Sequence, residues 1–185
     1  MAAPIVDANY RFIAAYQEVN ARIQQRQQAL ALYVTLVVSL LAALVALKPG
    51  PGRNDVPVEW LVLGFPVASV CLAFLNYKAE RAITNLRRFL ATLEQLGDAH
   101  DSLPSYNTHP QWTHTANRAR RFHDYAAVVL VAGGNTIGLG AAFHIYPQRV
   151  AEAPLAFYAS VAIVLITLAL LLVIPRWSYT PSAAD

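Results

Sequence analysis

Apolar residues gather in four stretches of about 20, the length a helix needs to cross roughly 30 Å of hydrocarbon at 1.5 Å per residue. The first, 29–47 (ALALYVTLVVSLLAALVAL), contains no charge, whereas a buried helix of a soluble protein carries a polar stripe. The second, 58–77, carries only Glu59 at its edge. Its Pro66 is tolerated because neighbouring helices re-satisfy a kinked backbone inside a bilayer. The third, 125–146, is glycine-rich, and the fourth, 155–174, is uniformly apolar and closed by Pro175, Arg176 and Trp177, an interfacial anchor. The pattern predicts an all-α, polytopic membrane protein: four transmembrane helices with cytoplasmic helical extensions. Residues 1–28 form an N-terminal helix and 29–77 a transmembrane hairpin. Residues 78–124 form an amphipathic helix and loop, 125–176 a second transmembrane hairpin, and 177–185 a tail.

The polar flanks carry a helical period of their own. Residues 5–28 lack Gly and Pro and space Ile13, Tyr16, Val19 or Asn20, and Ile23 along one face. No breaker separates them from span 1, so one rod of about 40 residues, roughly 60 Å, is expected. After span 2, residues 78–96 place Ile83, Leu86, Phe89 or Leu90, Leu93 and Leu96 on one face and charges on the other, with Gly97 as C-cap. The Pro/Gly-rich 48–57 enforces a tight reversal. The two extensions therefore start side by side, and Leu86, Leu90 and Leu93 are expected to bury against Ile13, Tyr16 and Ile23 in a cytoplasmic hairpin. Residues 98–116 read as a loop, with helix resuming near Thr115, and 147–154 as a short turn.

Charge placement orients the chain. Arg11, Arg22 and Arg26 precede span 1, Lys78, Arg81, Arg87, Arg88, Arg118, Arg120 and Arg121 lie between spans 2 and 3, and Arg176 follows span 4. Only Lys48, Arg53 and Arg149 fall on the other side. Positive loops stay inside, which puts both termini and the long middle segment on the cytoplasmic side. The net charge of +3 is then explained by topology and anionic lipid, and a nucleic-acid partner is disfavoured. Span 1 exceeds the 7 to 15 apolar residues of a signal-peptide core and is expected to persist. Cys71, alone in the chain, forms no intramolecular disulfide and reads as a small packing residue.

Span 3 is the most informative stretch for packing. Gly134, Gly138 and Ala142 recur every four residues, and small residues let helices approach closely. Packing within the chain against span 1 or span 4, association between protomers, and a bend or pore constriction are the readings, in that order. Asn135 would be costly unpaired in hydrocarbon and must face the bundle interior; Thr35, Ser39 and Ser69 are candidate partners. No Asp, Glu, Lys or Arg occupies the middle of a span, which argues against proton coupling or voltage sensing. His100, His109, His114 and His123, with Asp98, Asp101 and Asp124, match no zinc spacing. No metal or cofactor is expected. Walker, GxSxG and dinucleotide motifs do not occur, and the chain reads as not an enzyme. Arg118 and His123 stand at the R-x4-H spacing of HEPN ribonucleases, but the flanking bundle is too small. Headgroup contact by Arg118, Arg120 and Arg121 is preferred.

The segment YRFIAAYQEVNARIQQRQQALALY, with FPVASVCLAFLNYKAERAITNLRRFLATLEQ after it, resembles a broad class of uncharacterised bacterial membrane proteins whose second span opens into an amphipathic helix. That resemblance covers residues 10–96 and implies an inner-membrane location. In architecture the chain also resembles small polytopic components of antiphage systems, such as the four-span membrane component of the Kiwa system. The function expected is that of a non-enzymatic, homo-oligomeric inner-membrane protein. Its hairpin would receive a cytoplasmic signal or protein partner and its spans would sense or perturb the bilayer, in antiphage defence. A small channel or transporter and a structural accessory subunit are the alternatives.

Overall fold

A computed structural model describes residues 7–48, 58–96 and 105–181. Helix α1 runs from Ala8 to Ala46, α2 from Val58 to Glu94, α3 from Pro110 to Ile145, α4 from Pro147 to Glu152 and α5 from Pro154 to Val173, followed by a 3-10 turn at Ile174–Trp177. The described residues contain no strand. Four of the helices are long and apolar enough to cross a membrane. Since 30 Å of hydrocarbon takes about 20 residues, the 39 residues of α1, 37 of α2 and 36 of α3 leave a long extension on each. All three extensions lie on the side of the bundle that carries the 3-10 turn at Ile174–Trp177, here called the hairpin side.

Local chemistry sets the ends. Asp7 caps α1 by accepting from the Tyr10 backbone N–H at 2.9 Å. Pro110, Pro147 and Pro154 each open a helix at its first turn, where the missing N–H costs nothing. Helix α3 thus begins five residues before the expected Thr115. The Glu94 carboxylate accepts from the Asn107 backbone N–H (2.9 Å), the Asn107 side-chain amide (2.8 Å) and the Thr108 N–H (3.2 Å), pinning the start of α3 to the end of α2. The turn expected at 147–154 is mostly the short helix α4. The reversal at 49–57, the Gly97 cap, and His100, Asp98 and Asp101 lie outside the described residues.

Two apolar cores stack along the rods. The larger joins Tyr33, Val37 and Leu44 of α1, Phe65 and Leu72 of α2, Val131, Leu139 and Ala142 of α3, and Leu171 and Ile174. The smaller lies in the hairpin and joins Ala15 and Val19 to Ile83 and Leu90, with Phe12, Ile23 and Leu86 against it. The hairpin is therefore present with a corrected register. Ile13 and Tyr16 are 57% and 53% exposed, and Leu93 is only half-buried. The cause is the unbroken helix: Tyr33 and Val37 fix which face of α1 meets α2, and steps of about 100° carry that face back through Arg26, Val19 and Ala15. Ile13 lies about 120° from Val19 on that wheel.

Candidate functional site at the membrane boundary

Following the core-facing stripe out of the apolar spans leads to charged residues still in core register. Arg26 continues the line of Ala29 and Tyr33; Asn76 and Glu80 continue that of Leu72 and Ala73; Asp124 sits one turn before Ala127 and Val131. All four are buried, Arg26 at 5% and Glu80 at 2% exposure. Arg26 donates through Nε to Asn76 Oδ1 at 3.4 Å and through Nη1 to Glu80 Oε2 at 3.3 Å, and it pairs through Nη2 with Asp124 Oδ1. Arg120 of α3 donates to the same Glu80 Oε2 at 2.6 Å, and Ser178, just beyond the 3-10 turn, donates to Glu80 Oε1 at 2.9 Å. One latch thus joins α1, α2, α3 and the segment following α5.

A second tier lies further from the membrane. Arg87 donates to Asn107 Oδ1 at 3.2 Å and Asn117 Oδ1 at 2.7 Å, and its guanidinium stands 5.6 Å from the Tyr179 ring centroid. Asn117 donates to the Tyr179 carbonyl at 2.7 Å, and Thr84 to the Trp177 carbonyl at 3.2 Å. The C-terminal segment is thereby held against the hairpin.

Inside the membrane the Asn135 amide nitrogen donates to Ser69 Oγ at 2.7 Å, with Tyr33 OH at 3.3 Å and its own Val131 carbonyl at 2.7 Å. Ser69 was among the expected partners. Thr35 and Ser39 instead bond carbonyls of their own helix, at 3.0 and 2.8 Å, on an exposed face. On the far side the Tyr146 hydroxyl donates to the Leu44 carbonyl at 2.7 Å.

The electrostatics of the latch follow from its burial. Desolvation pulls the Arg26 guanidinium down to about 10, against the attraction of Glu80, and leaves it charged at neutral pH. Burial, aided by Arg120, also lowers Arg87. His123 is pushed down to about 4 by burial and by nearby Arg26, so its ring is neutral, and its Nε2 is buried with no bonding partner among the described residues. Arg26 and Arg120 balance Glu80 and Asp124, and the shared bonds offset a desolvation cost that isolated buried ions would not recover.

The glycine strip is used within the chain. A Cβ on Gly138 would lie 2.6 Å from the Phe65 ring, and one on Gly134 would lie 3.2 Å from the Tyr33 hydroxyl. Ala142 is fully buried. The reading of packing against span 1 or span 4 is corrected to spans 1 and 2. Arg118 and Arg121 are exposed, whereas Arg120, expected at lipid headgroups, is committed to Glu80. Among the described residues no three His, Cys, Asp or Glu side chains gather as metal ligands. The latch was missed because its residues were read by charge, while the signal was their register. No protein-family model, no curated protein and no solved structure matches this chain.

Proposed function

We propose that this is a non-enzymatic bacterial inner-membrane protein that relays the state of its cytoplasmic hairpin to its four spans, with the hairpin side facing the cytoplasm. The observation that carries the reading is the buried latch of Arg26, Glu80, Arg120, Asp124 and Ser178. Helices α1 and α2 run unbroken from hairpin to bilayer, so a partner that tilts the hairpin moves two spans directly. Through the latch the same tilt loads α3 and the end of α5. A buried charge network has few alternative arrangements of comparable energy, so such a load resolves into discrete states rather than a gradual bend. Homo-oligomerisation and a role in antiphage defence belong to this proposal as its wider setting.

The relay is tested in nanodiscs with spin labels at Val45→Cys and Phe143→Cys in a Cys71→Ser background, both at exposed positions on the far side. An antibody fragment against the hairpin serves as surrogate partner. Loading the hairpin should change the distance between the labels, and Arg26→Ala should abolish that change. One distance, the same for loaded and free hairpin, would overturn the reading.

A further inference from the structure

On the hairpin side, α3 and the end of α5 part around a cavity of about 260 Å³. Its polar wall is formed by Arg121, Asp124 and Arg176, and its apolar floor by Val128, Leu171 and Leu172. Asp124 is already paired with Arg26, so the cavity presents two exposed guanidiniums with the nearby carboxylate largely neutralised. Val128 lies one turn inside span 3 and Leu172 near the end of span 4, which places the cavity where headgroups give way to acyl chains. Guanidinium groups favour phosphate because their planar donors match its oxygens in pairs.

On the opposite flank of α5 runs a groove of about 290 Å³ lined by Val70, Phe74, Tyr77, Leu170 and Trp177, with Tyr77 and Trp177 edge to face at 5.4 Å. It is almost wholly apolar, as suits a lipid tail, and it has no cation. Of the two, only the cavity beside α3 is lined by cations, and it combines what a phosphate needs with what an acyl chain needs.

We propose that this cavity binds one anionic phospholipid, with Arg121 and Arg176 donating to the headgroup phosphate and Val128, Leu171 and Leu172 packing against the first acyl carbons. The proposal stands on the cavity alone, whether or not the hairpin relays a signal. Diffuse attraction of a basic surface to anionic lipid does not distinguish one exposed arginine from another. A built site does, and Arg118 supplies the comparison: it is exposed on the same helix and does not line the cavity.

The test titrates the purified full-length protein with phosphatidylglycerol and with phosphatidylcholine, reading bound lipid by native mass spectrometry. Wild-type protein should retain phosphatidylglycerol in preference to phosphatidylcholine. Arg121→Gln with Arg176→Gln should weaken that binding roughly tenfold or more, as expected for two charges near an anionic group. Arg118→Gln should leave it unchanged, and Leu172→Phe, which narrows the cavity without altering charge, should weaken it. Circular dichroism melts verify that each variant is folded. Unchanged binding in the double variant, equal loss with Arg118→Gln, or displacement of the lipid by inorganic phosphate at constant ionic strength would each overturn the proposal.

Discussion

Arg26 holds three buried partners on two other helices, because its guanidinium serves Asn76, Glu80 and Asp124 together. Arg26→Ala leaves two buried carboxylates with less compensation, and breaking a buried pair costs about 3–5 kcal/mol. Replacing Arg26 and Glu80 together by leucine removes both partners and should cost less than the sum of the single changes; chemical unfolding in micelles reads this as a coupling energy. His123 gives the latch a pH dependence of definite sign. Its folded value of about 4 lies below the unfolded 6.5, so the unfolded chain binds the proton more readily between those values. The stability it contributes is complete above 6.5 and is lost as pH falls from there towards 4. The melting midpoint should drop between pH 7 and pH 5, by less in His123→Phe; equal drops in both proteins would remove the histidine from the account. Gly138→Leu meets the Phe65 ring, and overpacking of this kind costs about 1–3 kcal/mol. Since that contact is internal, the variant should melt earlier while its mass in detergent stays that of the wild type.

At the scale of elements, the spans were legible because length and uniform apolarity suffice to define them, and α1, α2 and α3 each continue through the expected junction into polar sequence. The facing of the hairpin was harder to read. Residues 5–28 offer two apolar lines that share Val19 and Ile23, the expected one running through Ile13 and Tyr16 and the other through Phe12 and Ala15, so they part only towards the N-terminus. The second line is buried because rotation of the extension is fixed by Tyr33 and Val37 in the bilayer. Val19→Asp and Leu90→Asp should each destabilise the hairpin by several kcal/mol through a lost core contact and a buried charge. Ile13→Asp, on the exposed face, should stay within about 0.5 kcal/mol. Limited proteolysis of the hairpin separates the two registers, because protection lost with Ile13→Asp and kept with Ala15→Asp, at a buried position, would restore the original facing. The latch stayed hidden for a related reason: isolated Arg, Glu and Asp residues beside a span resemble topology signals, and only their alignment with the core stripe marks them as buried.

Over the whole molecule, apolar surface and charge divide by depth. Leu36, Val38, Phe74, Val129, Ile137, Leu165 and Ile166 are exposed around the spans, an arrangement stable only where hydrocarbon replaces water. The two ends are unequal: the hairpin side bears the latch, Arg118, Arg121 and Arg176, while the short helix α4 on the far side holds Arg149 beside Glu152. Four crossings place both termini on one side, and the excess of arginine there predicts that this side is cytoplasmic. Impermeant maleimide labelling of intact cells tests the orientation in a Cys71→Ser background, with Gln17→Cys on the exposed face of the hairpin extension and Gln148→Cys on α4, both at exposed positions. Gln148→Cys should react from outside, and Gln17→Cys only after permeabilisation. The reverse pattern would invert the chain in the membrane, place the hairpin outside, and leave the relay without access to a cytoplasmic partner.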